Sequence, residues 1–330
     1  MMKKKEPIIK LKGKGGVRAF SVSNKGKLIA VAQHGLKTGG AILSILDAAT
    51  FETIEVIEVY DESSIYALAF AANDDLLYAN NDYVVHIFDT QKMKRVDAIE
   101  TAQVRKIVAS TSSDKALCLG RYLEVWNIEK NELLFRLDEY ESFQVVGAGK
   151  LPPSLSWSVK GNMPDSFVSE PPAACFSMES DHKIYYAGVN KPKIFSLDMK
   201  TKKSKTLIND GVLQAREIKV SKGDKYLAVS SRYPQGDFVW KVDTGERVAE
   251  SLINDKYGSA SAIDFHPSGT MLALGSIVGF LTIVDLQKEE VFFSKKIHDT
   301  GINQARFSES GSSVMTAAND GKLIITVLPE

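Results

Sequence analysis

The chain has 330 residues, 44% of them hydrophobic and 25% charged, an ordinary balance for a protein that buries a sizeable core. Its 41 basic residues equal its 41 acidic ones, so no global field draws it to nucleic acid or to an anionic membrane, and nucleic-acid binding is disfavoured. Cys118 and Cys175 are its two cysteines, there is no N-x-[ST] glycosylation site, and no run approaches the roughly 18 apolar residues of a membrane span. A reducing, cytoplasmic location without membrane insertion is the expectation.

The sequence opens on "MMKKKEPIIK", which is basic but lacks the apolar core of a secretion signal. "LKGKGGVRAF" follows, and its glycines invite reading as a phosphate loop. Such a loop needs G-x-x-x-x-G-K-[ST], in which backbone N–H groups wrap the phosphates and the hydroxyl holds Mg²⁺. Here Gly16 is followed by Val17, Arg18 and Ala19, so the Lys-Ser/Thr pair is missing. "QHGLKTGGAI", residues 33 to 42, is a second glycine-rich stretch, with Lys37 and Thr38 inside it. It reads as a lengthened hairpin, since neither a Gly-Lys-Thr order nor a following helix is present.

Beyond it a unit recurs. An apolar run closes on Asp or Asn in "ILSILD" (Asp47), "VVHIFD" (Asp89), "LEVWN" (Asn127), "KIFSLD" (Asp198), "FVWKVD" (Asp243) and "LTIVD" (Asp285). A last copy, "LIITV", ends at Val327 without the acid, and the intervals are 42, 38, 71, 45, 42 and 42 residues. Ahead of each copy stands an apolar run, a polar turn and a second apolar run, as in "FSVSNKGKLIAVA", "LAFAANDDLLYAN" and "ARFSESGSSVMTAA". Period-two alternation around Asn, Asp, Ser and Gly marks strands and hairpins, and no stretch sustains a helical period. Each unit is therefore four short strands, and copies that cannot bury both faces alone stack radially. The expectation is an all-β, seven-bladed propeller.

The long third interval holds "LPPSLSWSVKGNMPDSFVSEPP", with Pro152, Pro153, Pro164, Pro171 and Pro172. Proline removes ladder donors, so residues 141–172 read as a Pro-rich insertion from blade three, or as a degenerate eighth blade. Seven blades plus a loop is preferred, because about 30 residues are short for four strands.

The pattern resembles the WD40-repeat family, most closely in "FHPSGTMLALGSIVGFLTIVDL" and "IHDTGINQARFSESGSSVMTAANDGKLIITV", and the resemblance covers nearly the whole chain. Two departures are plain: the Trp-Asp dipeptide is absent, Trp126-Asn127 being nearest, and so is Gly-His. The resemblance implies one propeller domain over residues 1–330. It also implies closure by an N-terminal strand, residues 7–13, completing the last blade. "KGKGGV" then becomes the connection into blade one.

The resemblance pairs His298 with Asp320 inside a blade, as a structural hydrogen bond. His34, His86, His182 and His266 form no metal-ligand spacing, and no G-x-S-x-G elbow appears. Neither a metal, a cofactor nor a catalytic residue is expected. In WD40 proteins the start of each inner strand faces partners. Counting back from Val22, Phe70, Ala109, Val220 and Phe307 places Arg18, Tyr66, Arg105, Arg216 and Asn303 there. Arg and Tyr are interface-rich side chains, and Arg suits carboxylate or phosphate, so an acidic or phosphorylated protein segment is the expected partner. The expected function is a non-catalytic interaction scaffold, a monomer or a subunit of a complex. The alternatives are a propeller enzyme, hydrolase- or lactonase-like, and a Sec12-type exchange factor for a small GTPase. That last family also carries a Gly-rich loop in its first blade.

Overall fold

A computed structural model describes residues 8–9, 11, 15–34, 40–59, 64–81, 83–101, 104–137, 173–188, 192–211, 215–231, 236–248 and 259–329. Among the described residues the strands form seven antiparallel sheets of four, and the one helical turn is a 3-10 turn at Lys222–Asp224. The innermost strands of blades one to seven are Val17–Val22, Ala67–Phe70, Lys106–Ala109, Ala174–Phe176, Ala215–Val220, Ala260–Phe265 and Ile302–Phe307. They follow one another around a ring, and blade seven lies against blade one. The proline-rich segment falls among residues 138–172, outside the described residues, as do Lys37 and Thr38.

The acid that closes each third strand has a physical cause. Asp47 accepts the N–H groups of Ala49 and Thr50 at 2.9 and 2.8 Å, and Asp89 those of Gln91 and Lys92 at 3.0 and 2.8 Å. Asp198 and Asp285 do the same for Lys200 and Thr201, and for Gln287 and Lys288. Each carboxylate thereby pins the hairpin to the outer strand as an Asx turn. The Thr50 N–H first, and Ala49 after it, hold the Asp47 carboxyl below its ordinary range. Four residues after the closing Asp, or after Asn127 in blade three, the chain turns left-handed, at Phe51, Met93, Asn131, Lys202 and Glu289.

Val327, which lacks the acid, ends a third strand whose outer neighbour is not the next strand in the chain. Blade seven takes its fourth strand from the other end of the chain: Ile8–Ile9 pairs antiparallel with Leu323–Val327, Ile8 opposite Ile324 and Ile9 opposite Leu323. Ile9 is buried with Val17, Phe20 and Leu323, which ties blades one and seven through one apolar cluster.

The inner hairpins repeat a second rule. Four residues past the inner strand's closing residue the chain is left-handed in five blades, at Gly26, Gly269 and Gly311, but also at Asp74 and Asp224. An aspartate there is strained by of order 1 kcal/mol, and its carboxylate explains its presence. Asp74 accepts the N–H groups of Asn24 and Lys25 from blade one, at 2.6 and 2.7 Å. Asp224 accepts the Ser177 hydroxyl at 2.6 Å, the Met178 N–H at 2.9 Å and the Tyr185 phenol at 2.7 Å from blade four. The turns of adjacent blades are thus locked together on the face opposite the candidate site.

Candidate functional site

Arg18, Arg216 and Asn303 share a structural position. The ladder skips one residue between Val17 and Ala19, between Ala215 and Glu217, and between Ile302 and Gln304. The skipped residue is a β-bulge, rotated out of the sheet at the start of the inner strand. In blades two and three the N–H groups of Tyr66 and Arg105 bond to Asn80 and Leu119 carbonyls at 3.0 and 2.8 Å, beside the first ladder pairs of those strands. All five expected residues therefore sit on one rim. Blade six contributes Ser261 at the same bulge, which the sequence reading missed because serine is not an interface-rich side chain. Counting back from Phe265 reaches it.

The rim is not uniform. The Arg105 guanidinium lies over the Tyr66 ring at 4.9 Å, a cation–π contact between adjacent blades. Arg18 is exposed, and after burial its charge is the second cause that lowers the pKa of His34. Asn303 is otherwise engaged: its amide donates to the Val17 carbonyl at 2.7 Å and to Asn319 at 2.8 Å. Ser261 donates to the Ile302 carbonyl at 2.6 Å. These two are staples between blades.

Below the rim the inner strands are stitched side chain to backbone. The Gln304 side-chain oxygen accepts the Phe20 N–H at 2.8 Å, Glu217 accepts the Ile263 N–H at 3.0 Å, and Asp264 accepts the Phe307 N–H at 2.9 Å. Lys219 lies 3.9 Å from both Glu217 and Asp264. The Lys106 ammonium donates to the Arg216 carbonyl, reaching from blade three to blade five.

Among the described residues of the opening stretch, Gly15 serves packing. A Cβ at Gly15 would lie 1.9 Å from the His34 carbonyl oxygen, and the Gly15 carbonyl accepts the Gln33 amide at 3.2 Å. The strand after the turn needs the space that a phosphate loop would keep open.

His298 and Asp320 meet in blade seven. Nδ1 of His298 lies 3.0 Å from the Asp320 carboxylate, and Nε2 lies 3.0 Å from the Thr316 hydroxyl. Burial lowers the His298 pKa against the pull of Asp320, so the ring is neutral, donating from Nδ1 and accepting at Nε2. At Asp320 burial acts to raise the carboxyl, but hydrogen bonds from His298, Lys322 and Asp299 outweigh it and hold it low. An Asp–His–hydroxyl order is also that of a hydrolytic relay, but Thr316 is 0% exposed inside the sheet, where no substrate reaches. Among the described residues no group of three or more His, Cys, Asp or Glu is placed to hold a metal ion.

Asp237, 5% exposed, bonds to the Ala260 N–H at 2.7 Å and the Ser231 N–H at 3.4 Å. Burial raises its carboxyl from 3.8 to about 6, while the Ala260 and Ser231 bonds and the Arg216 charge act to lower it. Between those two values the folded chain holds the proton more tightly than the unfolded chain. Stability from this group is therefore lost as pH rises through that window, by at most ~3 kcal/mol. Urea midpoints from pH 4 to 7 check it: Asp237→Asn, which cannot ionise, is expected to gain on the wild type as pH rises. A constant difference contradicts the assignment.

A seven-bladed β-propeller is the class of protein that this ring of sheets defines. No family model and no curated protein matches the chain. Among the described residues no helix is long and apolar enough to cross a membrane.

Proposed function

We propose that the chain is a non-catalytic, WD40-type interaction platform of the cytoplasm, and that its rim of inner-strand bulges docks an acidic or phosphorylated protein segment. One observation carries the reading. The same rim position, at the start of the inner strand, carries Arg18, Tyr66 and Arg105 on three consecutive blades, with Arg105 stacked on Tyr66. The stack holds the guanidinium plane at the rim, and arginine is the side chain best suited to carboxylate or phosphate. Arg216 extends the set from blade five, whereas Asn303, committed to Val17 and Asn319, is left out of it.

The expected result of replacing Arg18, Arg105 and Arg216 with alanine together is a folded ring that no longer retains its partner in affinity purification. A far-UV spectrum and unfolding midpoint like the wild type's establish folding. Retention of the same partner by that folded variant overturns the reading.

A further inference from the structure

The rim does not end at the inner strand of blade three. Arg105 donates its N–H to the Leu119 carbonyl at 2.8 Å, and Lys106 stands opposite Leu119 in the ladder, so Arg105 faces Gly120 at the open end of that strand pair. Arg121 is the next residue along. The two arginines therefore start within about 9 Å of each other, one strand spacing plus one residue. Tyr122 follows in the same turn, its carbonyl accepting the Gly120 N–H at 3.1 Å. The outer strand returns to this end with Arg136 opposite Glu124 and Leu137 opposite Leu123. One blade thus brings three arginines and a tyrosine to the end that carries the rim.

Their roles divide. Arg136 donates from Nε to Glu124 at 2.9 Å, and its Nη2 lies 2.6 Å from the same carboxylate. Glu124 is 2% exposed and also accepts the Trp126 indole N–H at 2.9 Å. Arg136 is therefore neutralised and fixed, and its guanidinium lies over the Tyr122 ring at 4.8 Å, which holds that ring in place. Arg121 lies 5.6 Å from the same ring, is exposed, and has no carboxylate partner among the described residues. Its charge remains to meet a partner. The chain's net charge is zero, so this concentration of arginine is local rather than the by-product of a basic protein.

We propose, resting on the docking reading, that the docked protein segment crosses blade three from the rim outward in extended form. It carries two anionic side chains with one residue between them, the first on Arg105 and the second on Arg121, beside the Tyr122 ring. Alternate side chains of an extended chain leave the same face about 7 Å apart, a spacing within the reach of two arginines that start this close. Arginine suits carboxylate and phosphate alike, and a tyrosine held rigid is an anchor of the kind that dominates interfaces. A nucleic-acid strand is the less fitting occupant, because it needs a positive track running past one blade, and blade two ends its outer strand on the exposed Glu100.

The test is fluorescence anisotropy of the full chain with labelled peptides at constant physiological ionic strength, one peptide carrying phosphoserine-glycine-phosphoserine and one a single phosphoserine. The wild type is expected to bind the doubly phosphorylated peptide about tenfold more tightly, the worth of one further charge-assisted contact. Arg121→Gln is expected to abolish that preference, while Arg95→Gln, a control on the exposed outer strand of blade two, keeps it. An unfolding midpoint like the wild type's establishes that each variant is folded. A second pair of peptides has aspartate in place of phosphoserine. The same Arg121-dependent preference in that pair assigns an acidic segment, and a preference in the phosphoserine pair alone assigns a phosphorylated one. Equal affinity for paired and single peptides in both series, or binding of none of them, overturns the inference. So does a preference that survives Arg121→Gln or that Arg95→Gln abolishes, and so does tighter, Arg121-dependent binding of a short oligothymidylate. Where paired and single peptides bind alike, Arg105→Gln separates the two readings: weaker binding of both peptides leaves the docking rim standing without this extension, and unchanged binding of both removes the rim as well.

Discussion

Replacing Trp240 with alanine is expected to lower the stability of the whole ring by about 3 to 5 kcal/mol. Trp240 is fully buried in the third strand of blade five, opposite Leu227. Its cluster joins Tyr185, Ile194 and Ile208 of blade four to Ile218, Leu227 and Val229 of blade five. Phe238 packs on it with ring centroids 5.7 Å apart, and the Arg247 guanidinium lies 5.9 Å from its ring. Among the described residues each buried apolar cluster joins two adjacent blades, so a cavity at Trp240 weakens two sheets at once. Trp240→Phe is expected to recover much of the loss. The check is the urea midpoint at constant slope, and a cost below about 1 kcal/mol for the alanine variant contradicts the packing account.

His298→Ala is expected to cost about 3 kcal/mol, because it strips partners from two buried groups at once. Thr316 loses the ring that accepts its hydroxyl, and Asp320 keeps the Lys322 and Asp299 N–H groups but loses its side-chain donor. His298→Ala and Asp320→Ala are expected to be strongly non-additive, since each removes the same bond, and a double-mutant cycle measures the coupling. The pH dependence follows from the lowered pKa of His298. The unfolded chain binds the proton more readily, so this stability is complete above the ordinary value of 6.5 and is lost as pH falls below it. Additive single losses, or a difference in stability between the wild type and His298→Ala that is independent of pH from 5 to 7, contradict the neutral-histidine lock.

Much of the architecture is legible in the residues because it rests on local chemistry. The acids at Asp47, Asp89, Asp198 and Asp285 mark third strands, since the turn they cap begins two residues later. The missing acid at Val327 marks a blade whose last strand comes from elsewhere. The count that reached Arg18, Tyr66, Arg105 and Arg216 works because in these blades the inner strand runs from its rim residue to its closing residue in the same number of steps.

What the sequence hides depends on a second blade. Nothing local distinguishes Asn303, which spends its amide on Val17 and Asn319, from a residue offered to a partner. Gln304, Glu217 and Asp264 read as ordinary polar positions, and their roles exist only because the next inner strand turns an N–H toward them. Asp237 reads as a loop acid, and its burial against the N–H of Ala260 is set by packing between blades five and six.

The docking rim is the centre of this account, and a charge reversal tests it most directly. Arg105→Glu keeps the strand and its backbone bond to Leu119 while inverting the charge over Tyr66. Affinity for the captured partner is measured by titration for the wild type and for this variant, at low and at physiological salt. The account predicts at least an about tenfold loss in the folded variant, together with a shallower salt dependence. Equal affinity and equal salt dependence in the two proteins would contradict it.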